Sequence, residues 1–188
     1  MDVSPVHLGA DELEIGLTAV LQSPREQGQL QAIFVRPAEN ERQSLDEAEL
    51  AQSTGIVGDR WVHAHWQHLP DGSSDPDTQV SLMNARILEQ ISGGDAAAMG
   101  LAGDNLIVDF DLSEENLPVG SELAIGDEVI IKISETPHTG CRKFVERYGK
   151  PAQQFVNSDV GKQHHLRGVL GMIVSDGTIR VGDAVRKK

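Results

Sequence analysis

The chain has 188 residues and carries 29 acidic against 16 basic side chains, a net charge of −13. This length suits one domain around one hydrophobic core, and the negative charge argues against a nucleic-acid-binding protein because a phosphate backbone would be repelled. No apolar run approaches the roughly 18 residues of a membrane span, no export signal is recognisable, and a single cysteine cannot form an internal disulfide, so we expect a cytoplasmic protein with no membrane role.

The first predicted elements are a helix and a strand. Residues 11–21 place apolar side chains at i, i+4, i+7 and i+8, which predicts a short amphipathic helix. Residues 30–36 form an apolar run that ends at a proline, which predicts a strand, and the acidic stretch 39–52 is typical of a loop. We expect residues 1–27 to be a helical appendage to a barrel domain formed by residues 28–188.

Three histidines follow the segment Gly58-Asp59-Arg60 within a short distance. His63, His65 and His68 suggest a metal site, since imidazole is a common ligand of zinc, copper and iron. A strand would bring the first two together and a helix the last two, but no single conformation collects all three easily. A structural or solvated role for at least two of them is the simpler interpretation.

The middle of the chain alternates strands with a helix. Residues 79–83 predict a strand, and Asn84 is a suitable N-cap for a helix that ends before Gly93-Gly94. A glycine turn at Gly103-Asp104-Asn105 then opens another predicted strand.

The last third is predominantly β. Alternating patterns predict strands at 121–125 and 128–134, and Asp176-Gly177 predicts a hairpin joining strands at 166–174 and 178–186. Between them lie two predicted helices separated at Gly149. The whole pattern predicts a mainly β fold with short helices (α+β).

Cys141, the only cysteine, begins the first of these two helices and is followed directly by Arg142 and Lys143. Thr139 or Gly140 is a candidate cap for that helix. Nearby cations and a helix N-terminus stabilise the thiolate over the thiol, and a thiolate can attack, carry sulfur as a persulfide or bind a soft metal. The alternative is a small buried residue without chemistry.

The charge changes sign at the same place. Residues 1–137 carry 6 basic and 25 acidic side chains, whereas residues 138–188 carry 10 basic and 4 acidic ones. A positive pocket on an acidic protein suits a small anionic ligand, although an acidic face opposite a basic one would give the same count.

Several segments together resemble the MOSC family, named after the C-terminal domain of molybdenum cofactor sulfurases. In chain order they are Gly58-Asp59-Arg60 with His63, Gln79-Val80-Ser81-Leu82-Met83, Gly103-Asp104-Asn105-Leu106, Leu123 and Ile125-Gly126, Cys141-Arg142-Lys143-Phe144, Leu166-Arg167-Gly168 and the closing segment from Gly177 to Val185. The resemblance covers most of the chain, from about residue 30 to residue 186.

This resemblance implies a MOSC-like β-barrel that binds the molybdenum cofactor (molybdopterin). It implies Cys141 as the catalytic residue and metal ligand, as a thiolate on molybdenum or a sulfur carrier. It also implies Arg60, Lys143 and Arg167 as phosphate or pterin contacts, with polar contacts from His63, Asn105 and Thr139. An association with pyridoxal phosphate binding follows from the family alone.

The leading hypothesis is therefore a stand-alone MOSC protein that acts as a reductase of N-hydroxylated compounds or as a cofactor or sulfur carrier. A reductase would need a separate electron-donor protein. The alternatives are a metal-dependent enzyme centred on His63, His65 and His68, and a non-catalytic β-barrel binding module in which Cys141 is only buried.

Overall fold

The computed structural model describes residues 7–63 and 67–188. Its helices are α1 (Ala10–Leu21), α2 (Ala85–Ser92), α3 (Ala96–Gly100), α4 (Arg142–Val156) and α5 (Asp159–Gln163). Its strands are β1 (Gln27–Val35), β2 (Gln43–Leu45), β3 (Glu47–Ala51), β4 (Gly55–Ile56), β5 (Val80–Asn84), β6 (Leu106–Asp109), β7 (Glu122–Ile125), β8 (Val129–Ile133), β9 (Val169–Ser175), β10 (Gly177–Arg180) and β11 (Ala184–Lys187).

The predicted β-barrel is confirmed. Within the described residues, one sheet has the strand order β11-β7-β8-β9-β5-β6-β1. The sheet closes into a barrel because the first residues of β1 also pair with β11, and the last residues of β1 pair with β2. Inward side chains of these strands form the main core, which includes Leu30, Leu82 and Ile131 at 0% exposure. Closure leaves the barrel strands without a free edge, so their backbone groups are paired around the ring.

The parallel pair β5 and β6 explains the first helical layer. Parallel neighbours require a crossover connection, and α2 with α3 supplies it. Asn84 ends β5 and caps α2 as predicted, because its side-chain oxygen accepts hydrogen bonds from the backbone N–H groups of Arg86 and Ile87. Gly93 closes the helix in the left-handed conformation at φ 65°.

The predicted hairpin at Asp176-Gly177 is wrong. β10 leaves the barrel at this turn and pairs with β3, not with β9. The Asp176 carboxylate accepts hydrogen bonds from the backbone and side-chain nitrogens of Gln52, at 2.9 and 3.0 Å, and this directs the chain toward β3.

The loop expected at residues 39–52 is also wrong in part, since it contains β2 and β3. Ala48 and Leu50 of β3 face the main core, at 5% and 0% exposure. Glu47 and Glu49, which alternate with them, are exposed, and these charges conceal the alternation.

A second hydrophobic cluster lies outside the barrel, under the helices. α1 packs on α2 and α4 through Leu13, which is 0% exposed, and Tyr148 of α4 is equally buried. The predicted N-terminal helix is therefore present and contributes to this second cluster. None of the described helices has the length and apolar character that crossing a membrane requires.

Helix α4 bends back on itself at Gly149, where φ is +86°. A straight helix would place Asn157 about 24 Å from the start of α4, at 1.5 Å per residue. Instead, the Asn157 side chain reaches Gly140, just before the helix begins, at 2.8 Å. The predicted break at Gly149 is confirmed, and it brings the two ends of α4 together.

Candidate functional site

The turn Gly103-Asp104-Asn105, between α3 and β6, is the centre of a network of buried charges. Gly103 has a φ of +86°, which favours glycine, and the next two side chains are 1% and 0% exposed. The Gly103 carbonyl and the Asn105 side chain both accept hydrogen bonds from Arg36, and Asp104 pairs with Arg167, so one short segment positions cations from distant parts of the chain.

Asn105 is fully engaged inside the protein. Its side-chain oxygen accepts hydrogen bonds from Arg36, at 3.2 Å, and from the backbone and hydroxyl of Ser81. Its nitrogen donates to the Phe34 carbonyl and to Asp59, at 3.1 and 3.0 Å. Asp59 in turn pairs with Arg36 through both carboxylate oxygens, at 2.9 and 3.0 Å. Asn105 therefore orients the Arg36–Asp59 pair.

Asp104 forms a buried ion pair with Arg167, with 2.7 Å between Oδ2 and Nη1. Arg167 also donates to the Ala102 carbonyl and lies over the Phe144 ring, 5.1 Å from its centroid. Gly168 allows this placement, since its φ is +93° and a Cβ there would lie 2.1 Å from the Leu82 carbonyl oxygen. The Leu166-Arg167-Gly168 segment thus fixes a buried guanidinium against a buried carboxylate.

His138 completes this group. Its Nδ1 lies 3.5 Å from the second Asp104 oxygen, and its side chain is 12% exposed. Burial, together with the positive charge of Arg167, lowers the pKa of His138 well below its ordinary value of 6.5, so the ring is neutral at physiological pH. Burial raises the pKa of the Asp104 carboxyl, and the neighbouring guanidinium groups, Arg167 foremost, oppose that rise.

These residues line a cavity of about 370 Å³ that also includes Ser134 and Thr139. Three of its lining residues have a polar atom that is buried without a hydrogen-bond partner among residues 7–63 and 67–188: Ser134 Oγ, His138 Nδ1 and Arg167 Nε. Leaving a buried polar atom unpaired costs roughly 1–3 kcal/mol, so three in one cavity indicate a place for a polar ligand.

A larger cavity of about 880 Å³ lies against α2, α3 and β2. Small apolar residues such as Ala85, Ala96 and Ala97 form much of its wall, and Arg86 and Asp109 of its lining neutralise each other at 2.7 Å. The smaller cavity offers more unpaired polar groups and lies beside the cysteine, so we consider it the functional candidate.

Cys141 is exposed and is itself the N-cap of α4, without a side-chain hydrogen bond to the helix. Neither Thr139 nor Gly140 caps the helix, contrary to expectation. Gly140 is held by α4 instead: its N–H donates to Asn157 at 2.8 Å, and its carbonyl accepts from Gln153 and Asn157 at 3.0 Å each. The thiol therefore sits on a fixed turn and faces solvent, which contradicts the interpretation that it is only buried.

The remaining predicted residues are distributed around this turn. Thr139 and Arg167 line the cavity, Cys141 is not part of its lining, and Lys143 pairs with Glu39 at 3.5 Å. Arg60 lies next to the strand end of β1, where its backbone N–H donates to the Arg36 carbonyl at 3.0 Å.

The histidine group falls only partly within the described residues. His63 is exposed in a 3-10 turn and its backbone N–H donates to the Arg60 carbonyl at 2.8 Å, and His68 is also exposed. His65 lies outside the described residues. Across ranges 7–63 and 67–188, no three His, Cys, Asp or Glu side chains are arranged to hold a metal ion.

Sequence reasoning did not identify four residues of this region: Ser134, Arg36, Arg42 and the functional position of His138. The sequence could have pointed to the arginines, because residues 1–137 contain only six basic side chains. Three of the six are Arg36, Arg42 and Arg60. Their scarcity in an acidic segment is itself informative.

The chain belongs to the MOSC domain family, whose model matches residues 52–186. The match includes the Gly103-Asp104-Asn105 turn, Cys141 and Arg167. The comparison with curated proteins gives no match.

Solved structures share this fold. The YuaD protein from Bacillus subtilis is similar with a TM-score of 0.60 and 17% identity, over 87% of this chain and 97% of that one. YiiM from Escherichia coli has a TM-score of 0.56 and 18% identity over 86% and 69% of the two chains. YiiM from Geobacillus stearothermophilus has 0.55 and 15% over 86% and 75%. At these identities the likeness concerns the fold alone.

Proposed function

We propose that this protein binds the molybdenum cofactor and that Cys141 provides the thiolate that meets the metal or carries sulfur. The observation that carries the proposal is the cavity of about 370 Å³, three of whose lining residues have a buried polar atom without a partner in the described part of the chain, and whose lining reaches Thr139, two residues before the exposed Cys141. Membership of the MOSC family supports it, since these domains are associated with that cofactor.

The residues present fit such a ligand. A pterin has ring nitrogens and an exocyclic amine and oxygen, and the unpaired atoms of Ser134, His138 and Arg167 are hydrogen-bonding groups of matching character. The soft sulfur of Cys141 suits a soft metal centre. Arg60 and Lys143 add positive charge toward an anionic ligand, while Asn105 contributes by holding Arg36 and Asp59 in place.

In this proposal the protein's own residues position the ligand, balance its charge and exclude water. Arg167 holds its charge against Asp104, and neutral His138 can donate or accept one hydrogen bond without adding charge. Gly140, clamped by Asn157, fixes where the thiol stands. When bound, the cofactor supplies a metal that takes sulfur ligands and exchanges electrons.

Two roles remain within the proposal. As a reductase of N-hydroxylated compounds the protein would take electrons from a separate donor protein, and as a carrier it would hand on cofactor or sulfur. Turnover of an N-hydroxylated compound with a chemical reductant distinguishes the first role from the second.

The test is to express the full chain in a host that makes the cofactor and to measure bound molybdenum and pterin. We expect both in the wild-type protein, and a molybdenum content at least about tenfold lower in Cys141→Ala, because the thiolate ligand is lost. Arg180→Gln is the matched control, since that side chain is 63% exposed and pairs with Glu47 on the neighbouring strand β3.

Circular dichroism would establish that each variant is folded. Well-folded wild-type protein that holds neither molybdenum nor pterin would overturn the proposal. Equal contents in the wild-type and Cys141→Ala proteins would remove Cys141 from it.

A further inference from the structure

Three arginines near Gly103 have no carboxylate partner among the described residues. Arg42, Arg60 and Arg147 take part in none of the ion pairs, whereas Arg36 and Arg167 are neutralised by Asp59 and Asp104. The chain has 29 acidic side chains, so carboxylates that could pair with these arginines are common in the sequence. Unpaired cations gathered together in so acidic a protein need another explanation.

Gly103 brings two of these guanidinium groups to the same point. A Cβ built on Gly103 would lie 3.3 Å from Arg42 Nη2 and 3.8 Å from Arg147 Nη1. Each group donates to a backbone carbonyl: Arg42 Nη1 to that of its neighbour Glu41, and Arg147 Nη1 to that of Leu101. The guanidinium groups of Arg42 and Arg147 therefore converge beside the same backbone position, where a side chain would contact both.

This arrangement is unfavourable for the protein alone. Burial and repulsion by Arg147 lower the pKa of Arg42 to about 10, and Arg36 and Arg60 add to the repulsion. The Arg42 side chain stays charged at neutral pH, so its lowered pKa measures the cost of holding the charge there. Its Nε is also buried without a partner. An anion would offset both the repulsion and the unpaired donor.

We propose that Arg42 and Arg147, converging at Gly103 with Arg60 beside them, form a binding site for the phosphate group of a phosphate monoester. Guanidinium groups match phosphate through paired N–H donors, and two of them accommodate a doubly charged oxyanion. The identity of the whole ligand rests on the proposed function: there the phosphate monoester is the pterin cofactor, and the arginines bind its phosphate group. The anion site itself is testable without the cofactor.

The test measures the binding of inorganic phosphate to cofactor-free protein by isothermal titration calorimetry at constant ionic strength, with chloride as the reference anion. We expect phosphate to bind the wild-type protein and to raise its melting temperature, since a ligand of the folded state stabilises it. Arg42→Gln and Arg147→Gln should each weaken binding by at least about tenfold, because each removes a charge-assisted pair of hydrogen bonds.

Arg142→Gln is the matched control for this anion site, because it removes the same charge from the same helix as Arg147 but is 92% exposed and pairs with Glu146, so phosphate affinity should stay unchanged. Arg42→Lys should give an intermediate affinity, since it keeps the charge but loses the fork of donors. Phosphate that fails to bind the wild-type protein, or that binds Arg42→Gln and Arg142→Gln equally, would overturn the proposal.

The outcome separates this site from the proposed function. Bound molybdenum and pterin with no difference between Arg42→Gln and Arg180→Gln would reject the phosphate site alone. Phosphate binding that depends on Arg42 and Arg147, in a protein that never holds pterin, would support the site and assign it to another phosphate monoester. If the pterin phosphate is the natural ligand, cofactor-loaded protein should not bind inorganic phosphate until the cofactor is removed.

Discussion

His138 is a neutral imidazole held inside the protein, and this makes stability depend on pH. In the unfolded chain its pKa is about 6.5. In the folded protein burial and Arg167 keep the pKa far lower, so on acidification only the unfolded state takes up the proton. The free energy of unfolding should therefore fall by about 1 kcal/mol between pH 6.5 and 5.5 from this residue.

Urea unfolding at a series of pH values measures this effect. His138→Gln should flatten the decline by about that amount, because glutamine does not titrate. His63→Gln makes the same chemical change at an exposed position and should leave the wild-type slope. An unaltered slope in His138→Gln would show that His138 is protonated in the folded protein.

Individual site residues differed in how far the sequence could predict them. Cys141 and its cationic neighbours were predictable because the relation is local. The Asp104–Arg167 pair was not predictable, because it joins residues far apart in the chain. Asn105 was predicted to contact a ligand, but its side chain makes five hydrogen bonds inside the protein to three segments that are distant in sequence. Long-range polar pairing leaves no periodic signal.

At the scale of elements, the bend in α4 determines where the thiol stands. Gly149 adopts a φ of +86°, and a Cβ there would lie 3.2 Å from the His7 ring. Gly149→Ala should lower the free energy of unfolding by about 1–3 kcal/mol, the cost of a side chain in this conformation. It should also weaken the clamp on Gly140, because that clamp depends on the two halves of α4 meeting.

Hydrogen exchange at the Gly140 amide gives a direct measurement, since this N–H donates to Asn157. We expect faster exchange in Gly149→Ala. Gly120→Ala serves as control: its φ is +85° but a Cβ there would meet nothing within 4 Å, so it shares the backbone strain without touching α4. Equal protection of Gly140 in both variants would mean that the bend does not hold the turn.

Elements were predictable where one segment carries the whole signal. The capped helix α2 and the break in α4 follow from side chains adjacent in sequence. The hairpin at Asp176-Gly177 failed because Asp176 is bonded to Gln52, and β3 was missed because charged residues flank its two buried positions. A turn sequence predicts that the chain changes direction, but it does not predict with which strand the following strand pairs.

At the scale of the whole molecule, two hydrophobic clusters share β1, β5 and β6, so the helical layer should unfold together with the barrel. Leu13 of α1 is fully buried in the second cluster. Leu13→Ala should lower the free energy of unfolding by about 3 kcal/mol, as expected for a buried leucine.

Tryptophan fluorescence and circular dichroism should follow the same urea transition in that variant, since Trp61 is buried beside β4 and Thr78 and the helical signal comes from the outer layer. Ile15→Ala is the control, because Ile15 lies on the same helix at 76% exposure and should change stability by less than about 0.5 kcal/mol. Separate transitions would show that α1 is an independent appendage.

The charge step seen in the sequence does not divide the molecule into two halves. The cations around Gly103 come from both sides of residue 138: Arg36, Arg42 and Arg60 before it, Arg147 and Arg167 after it. The net charge of each segment predicted that an anion site was plausible, but only the fold selects which arginines meet.

Barrel closure has a consequence for biosynthesis. β11 fills the space between β7 and the first part of β1, pairing Gln27 with Arg186 and Ile125 with Val185. A nascent chain on the ribosome exposes both of these strand edges until β11 has emerged, and open edges favour pairing between chains. Translation that stalls shortly before β11 would therefore release a product with two unpaired strand edges that is prone to aggregate.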